Sequence, residues 1–342
     1  MKNLGIVDRA TDLIGSNPMI RLPVKDRRYD LLLKMEKFNP GGSMKDRMAR
    51  SMIDAAEKNG TLKPGGVIIE STSGNTGVGV AMIAAERGYR FIAIVDGHAA
   101  KEKILSMKAY GAEIRHVGGG KTEDQVAIDE RERYAKELSK EVPNAIFLGQ
   151  ADNPANAEGY YQTLGPEIFE QTKREIRVLI GAAGTGGSLS GTARFLRERN
   201  AGLVVVGVEP HGSVIFGPPD VPYYQSGTGN PGSVSVGKNV DYSLITMGKK
   251  VSDKEAFNTS RFLARRLGIL IGGAAGGVVF VALQMMSEMS LPGRLVAIVA
   301  DGGEKYLDTV FNDEWMKERS LIDPAVDTRL ECFLTLQKYD RT

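Results

Sequence analysis

Short, wholly apolar runs alternate with amphipathic stretches along most of the 342-residue chain. YDLLLKME reads as a strand. SMKDRMARSMIDAAEKNG, with apolar residues three and four apart, reads as a helix ending at Gly60. GGVIIES predicts a buried strand and GVGVAMIAAERG a helix closed by Gly88. RFIAIVD, the helix AKEKILSMKAYG and the strand AEIRHVG continue the pattern. It resumes with the strand EIRVLIGA, the helix SLSGTARFLRERN and the strand LVVVGVEP. Two helices, SDKEAFNTSRFLARRLG and GGVVFVALQMMSEM, and the strand RLVAIVAD complete it. This alternation predicts an α/β fold with mostly parallel sheets. The stretch from His211 to Ser243, rich in Gly, Pro, Ser and Tyr, breaks the pattern and is long for a loop without a role.

In open parallel sheets, ligands bind at the carboxyl ends of the strands. Glycine-rich turns follow four of the predicted strands there: NPGGSMK, STSGNTG, GAAGTGGSLSG and ADGGEKY. The chain holds 41 glycines, a surplus over the usual share of about 7%. Bare backbone that approaches a ligand is the natural use of such a surplus. A net charge of +2 favours neither nucleic acid nor membrane as a partner. The charged N-terminus does not read as a secretory signal, and no apolar run is long enough for a membrane span. The single cysteine, Cys332, forbids an intramolecular disulfide and fits a reducing compartment, so a cytoplasmic location is expected. With one cysteine and three histidines (His98, His116, His211), no metal site is expected.

Three of the turns carry chemistry. In NPGGSMKDR, Lys45 stands in the first turn of a predicted helix, where the helix field disfavours a cation. That field lowers the amine's pKa, as a Schiff-base lysine requires, although a solvated lysine beside Asp46 and Arg47 would look the same. In ESTSGNTG, hydroxyl side chains and amides at a helix start make an anion cradle, or simply a capped helix. In GAAGTGGSLSG, Gly184, Thr185, Gly186, Gly187 and Ser188 offer donors to an anion but no P-loop lysine, so a phosphate monoester suits the turn better than a nucleoside triphosphate.

In this order and spacing, the motifs resemble the cysteine synthase and cystathionine β-synthase family, pyridoxal phosphate enzymes of the tryptophan-synthase-β fold. The resemblance runs from LIGSNPMIRL to GGEKYLDTVFNDEW. It implies pyridoxal phosphate as cofactor, with Lys45 forming the internal aldimine and shuttling the α-proton. It implies Asn75 at the ring hydroxyl and residues 184–188 at the cofactor phosphate. Ser71, Thr72, Ser73, Thr76 and Gln150 would hold the substrate carboxylate. Gly227 and Gly229 of QSGTG would form a turn near the substrate. The implied reaction is β-replacement on O-acetylserine or O-phosphoserine through an aminoacrylate, giving cysteine or a related amino acid. Cystathionine β-synthase-type condensation, synthesis of a 2,3-diaminopropionate precursor from an amino acid nucleophile, and serine or threonine dehydration are the alternatives. A non-catalytic binding relative is a further one, which Lys45 argues against.

The family usually keeps a serine, facing the pyridine nitrogen, at the position of Ala274 in IGGAAGG. Alanine there makes no such bond. Water, Asp301 or nothing would meet the nitrogen, and either tolerated drift or retuned electronics would explain the change. The resemblance also implies two three-layer α/β domains with the cofactor between them: a smaller mobile one over residues 45–153, and a larger one from residues 1–44 plus 154–342. Small-molecule amino acid substrates and a homodimer are expected. Tyr223 and Tyr224 would line the nucleophile's entrance or pack their own loop. The C-terminal tail, with Leu330, Phe333 and Leu334, would dock on a partner or on its own chain.

Overall fold

The computed structural model describes residues 5–72, 74–97, 100–117, 128–289 and 292–336. The first half of the chain forms β1 (Met19–Arg21), β2 (Tyr29–Met35), α1 (Lys45–Lys58), β3 (Val67–Ser71), α2 (Asn75–Arg87), β4 (Arg90–Val95), α3 (Lys101–Ala109), β5 (Glu113–His116), α4 (Ile128–Glu141) and β6 (Ala145–Phe147). The second half forms α5 (Pro154–Gln162), α6 (Leu164–Gln171), β7 (Ile176–Ala182), α7 (Gly187–Arg197), β8 (Val204–Pro210), β9 (Met247–Val251), α8 (Asp253–Leu267), α9 (Gly273–Glu288), β10 (Gly293–Val299), α10 (Asp313–Glu318) and α11 (Pro324–Phe333). They build two sheets. A six-stranded sheet has the order β1-β2-β10-β7-β8-β9, and a four-stranded sheet the order β5-β4-β3-β6. Every pairing is parallel except β1 with β2.

Parallel strands covered on both faces should be apolar throughout, and β3 is buried at all five positions. One apolar cluster joins the sheets. It runs from Leu32, Leu179 and Val296 of the larger sheet, through Met48 and Met52 of α1 and Leu189 of α7, to Ile68 and Phe91 of the smaller. The far face of the larger sheet packs on α8, α9 and α11. Helix ends follow local chemistry. Gly88 and Gly268, both left-handed, close α2 and α8, and Ser252 with Glu255 forms a reciprocal cap at the start of α8.

The predicted elements are present, with one informative difference. Helix α9 begins at Gly273, inside IGGAAGG, not at Gly276. A Cβ on Gly276 would lie 2.2 Å from the Ala256 carbonyl, and one on Gly273 would lie 2.5 Å from the Phe257 ring. These glycines therefore let α9 press against α8. The tail docks on its own chain: Val326, Leu330 and Leu334 are buried in the core, and the Thr335 amide donates to the Pro23 carbonyl at 2.6 Å. Among the described residues no helix is long and apolar enough to cross a membrane.

Candidate active site

The glycine-rich turns that follow β2, β3, β7 and β10 are tied together: Ser43 pairs with Asp301, Asn75 bonds Asp301, and Asn156 bonds Thr185 and the Gln150 carbonyl beside the 71–76 loop. The Met44 amide donates to the Ala300 carbonyl at 2.8 Å, which ties the loop before Lys45 to the end of β10. Lys45 is the first residue of α1 and is partly buried. Its ammonium takes part in no hydrogen bond or ion pair among the described residues. Burial pushes its pKa down to about 8, against the opposing attraction of Asp301. The helix field anticipated from sequence is thus not the leading cause; loss of water is.

The 71–76 loop and the segment after β6 come together through Gln150. The Thr76 hydroxyl donates to Gln150 Oε1 at 2.7 Å, and Gln150 Nε2 donates to the Ser71 carbonyl at 3.1 Å. Thr72 Oγ1 accepts from the Gly77 amide at 3.0 Å, so it caps the start of α2 while its proton stays available. Ser73 lies outside the described residues, as does His98.

Asn75 spans a second network. Its Nδ2 donates to Asp301 Oδ2 at 2.8 Å, and its Oδ1 accepts from Lys305 Nζ at 2.8 Å. Tyr306 also donates to Asp301 Oδ2, at 2.7 Å. Ala274, in the first turn of α9, is partly exposed. Asp301 lies against the same helix end, because a Cβ on Gly272 would fall 2.1 Å from its Oδ1.

The 184–188 turn opens α7 with Gly186 left-handed at φ 86° and no side-chain cap. A Cβ on Gly186 would meet the Val240 backbone at 2.6 Å, and one on Gly187 would meet Asn156 Oδ1 at 2.1 Å. The Gly229 amide and the Thr228 hydroxyl both donate to the Ala183 carbonyl at 2.7 Å, which seats the 227–229 turn against this one. Gly227 has a φ of 80°, and nothing lies within 4 Å of where its Cβ would be.

A family model described as pyridoxal-phosphate dependent enzyme matches residues 10–301. The chain belongs to this family. It is 51% identical over 324 residues to a putative cysteine synthase of Sinorhizobium fredii, covering 95% of this chain and 96% of that protein. It is similar in structure to a hydrogen sulfide-producing enzyme from Fusobacterium nucleatum, with a TM-score of 0.83 and 32% identity over 88% of this chain and 100% of that one. It is also similar to an O-acetylserine dependent cystathionine beta-synthase from Helicobacter pylori, with a TM-score of 0.80 and 30% identity over 89% of this chain and 98% of that one. The protein is a cysteine synthase-like, pyridoxal phosphate-dependent enzyme of β-replacement.

The residues present fit pyridoxal phosphate. The uncapped start of α7 leaves backbone amides for a phosphate, and Lys45 offers an amine with no hydrogen-bond partner among the described residues. Sequence reasoning missed four participants. Lys305 and Tyr306 lie within ADGGEKY, one of the four glycine-rich turns, which is the signal that points to them. Ser226 lies inside QSGTG, where the glycines alone draw attention, and Lys103 carries no local signal. Of the two aromatic residues weighed, the Tyr223 hydroxyl lies against Gly229 and packs the loop, and Tyr224 stacks edge-on to Trp315 at 5.6 Å.

Proposed function

We propose that this enzyme replaces the β-substituent of an O-activated L-serine, with Lys45 as both cofactor lysine and carrier of the α-proton. O-acetylserine is the favoured donor, and cysteine or a related β-substituted alanine the product. The observation that carries this reading is the Lys45 ammonium, without a hydrogen bond or ion pair among the described residues, at the meeting point of the four turns. When bound, pyridoxal phosphate supplies the electron sink that weakens the substrate's Cα–H bond. Residues Gly184 to Ser188 take the phosphate on the α7 amides. Asn75, its amide held by Asp301 and Lys305, would offer its remaining Nδ2 proton to the ring hydroxyl, and Ala274 would stand at the pyridine end without a hydroxyl to offer. Ser71, Thr72, Ser73, Thr76 and Gln150 orient the substrate carboxylate, and bare Gly227 leaves room for the amino acid. Lys45 takes the α-proton and returns it after the new bond forms. Residues 45–153 act as a smaller unit that closes on residues 1–44 plus 154–342 and excludes water. A homodimer is the proposed assembly.

The choice of donor rests on charge. A phosphate leaving group calls for a guanidinium fork, yet residues 211–243 contain no arginine. Their one lysine, Lys238, is exposed and lies 3.7 Å from Asp152. The test offers O-acetylserine, O-phosphoserine and serine against sulfide, thiosulfate, homocysteine and glutamate, with products identified by mass. Turnover of O-acetylserine with sulfide is the expected result. Cystathionine as the main product would favour the condensation reading, and a glutamate adduct the 2,3-diaminopropionate-precursor reading. Keto acid and ammonia with every nucleophile would replace the reading by a dehydratase.

The pKa of Lys45 gives a second expectation. Only the neutral amine attacks an aldehyde, and with a pKa of about 8 its fraction rises about tenfold per pH unit below that value. Capture of pyridoxal phosphate by cofactor-free protein, followed by stopped-flow absorbance, should accelerate to about pH 8 and then level off. A rate still climbing towards pH 10 would mean that the amine is not desolvated.

A further inference from the structure

Lys103 is a nearly fully buried lysine, 1% exposed, in the first turn of α3. Its ammonium donates to the Tyr306 hydroxyl at 3.2 Å and to Ser226 Oγ at 3.4 Å, and lies 4.7 Å from the centre of the Tyr306 ring. Its stem passes the 71–76 loop: a Cβ on Gly74 would lie 4.0 Å from its Cδ. Helix α3 connects strands of the four-stranded sheet, whereas Tyr306 and Ser226 belong to segments that follow β10 and β8 of the six-stranded sheet. Lys103 therefore crosses the cleft.

The contact does not end at Tyr306. Tyr306 donates to Asp301 Oδ2 at 2.7 Å, and Asn75 donates to the same oxygen at 2.8 Å. Lys305 donates to Asn75 Oδ1 at 2.8 Å and to the carbonyls of Gly41 and Gly42 at 3.0 and 3.2 Å. The chain of hydrogen bonds thus runs from α3 to the loop that carries Lys45. Asp301 is its acceptor centre, and Lys103 and Lys305 lie to either side. With the Lys103 ammonium donating to its oxygen, the Tyr306 hydroxyl has its proton directed to Asp301.

Burying an ammonium on two neutral hydroxyls is costly. A lysine that only filled space would do better as methionine. We propose that Lys103 is a positioning residue that clasps the two sheets across the cleft and, through Tyr306 and Asp301, fixes the Asn75 amide and the Lys45 loop. This rests on the cleft being the cofactor site only for its effect on the cofactor; the clasp itself is a property of the chain. Coupling of this kind is established by perturbing its links separately.

The test uses Lys103→Met, Tyr306→Phe, Ser226→Ala and Lys103→Arg, read by amide hydrogen exchange and by the visible absorbance of bound cofactor. Lys103→Met should raise exchange about tenfold in residues 101–109 and 226–229, leave β3 and β4 unchanged, and shift the absorbance band. Ser226→Ala should raise exchange in 226–229 and leave the band in place. Tyr306→Phe should shift the band, and adding Lys103→Met to it should shift the band no further. Lys103→Arg should restore both signals. The proposal is overturned if Lys103→Met changes neither signal, if exchange rises equally across the four-stranded sheet, or if the two band shifts add in full. Wild-type protein that binds no cofactor would sink the proposed function. Exchange in 101–109 and 226–229 would then still decide whether the clasp exists.

Discussion

Lys45→Ala is expected to lower kcat roughly 10²–10⁴-fold, the usual contribution of a positioned general acid–base. The amine stands at the start of α1 with no ion pair to hold it and a pKa of about 8. It can therefore be neutral as a base and charged as an acid within about a pH unit of its working range. Lys45→Arg should be no better, because a guanidinium does not release its proton near neutrality. Pre-steady-state measurement of α-proton exchange from deuterated substrate checks the assignment. Exchange that survives in Lys45→Ala within about tenfold of wild type would move the proton transfer to another group.

Arg47→Met should cost about 3–5 kcal/mol of stability, the usual result of removing one partner from a buried ion cluster. Arg47 donates to Glu36 at 2.6 and 2.8 Å and to both oxygens of Glu167 at 2.8 Å. Lys34 adds a bond to Glu167 at 2.8 Å. Arg47 follows Lys45 by two residues on α1, and the cluster joins β2, α1 and α6. Burial alone would raise the pKa of Glu167, but Arg47 and Lys34 hold it at about 2, against an ordinary 4.5. Its folded-state pKa is depressed, so its contribution is fully present above 4.5 and lost as pH falls through about 2. Denaturant midpoints of wild type should therefore fall with acidification through that window. In Arg47→Met the same window should flatten, because the carboxyl's pKa returns towards its unfolded value. An unchanged midpoint at pH 7 would show that Glu36 and Glu167 find other partners.

The elements that sequence revealed are those whose apolar residues repeat at one period and end on a clear signal. Helix α1 and strands β3, β4, β7, β8 and β10 are of this kind. The elements it did not name have weaker signatures. Helix α4 is dominated by charge, with Arg131, Ala135 and Leu138 as its buried positions. Strand β9 is an edge strand buried fully at Val251 alone, so alternation has little to act on. Helices α5 and α11 had legible starts, with Asn153 and Asp323 capping before Pro154 and Pro324. Their apolar content was too sparse to extend those starts into helices.

The order of the motifs along the chain determined the family, the cofactor and the class of reaction, because each glycine-rich turn marks the end of a parallel strand. The resemblance set IGGAAGG at the pyridine end of the cofactor, but the sequence could not say what its glycines pack against. Tertiary packing decided it: the Ala256 carbonyl and the Phe257 ring of α8 occupy the space where side chains on Gly276 and Gly273 would stand. Tertiary structure also brought Lys103, Asn75, Asp301 and Lys305 into one hydrogen-bonded chain across more than two hundred residues of sequence. No local pattern encodes such a contact. Side chains of buried polar residues find partners only once the sheets have placed them, and the cost of leaving them unpaired then fixes which partners they keep.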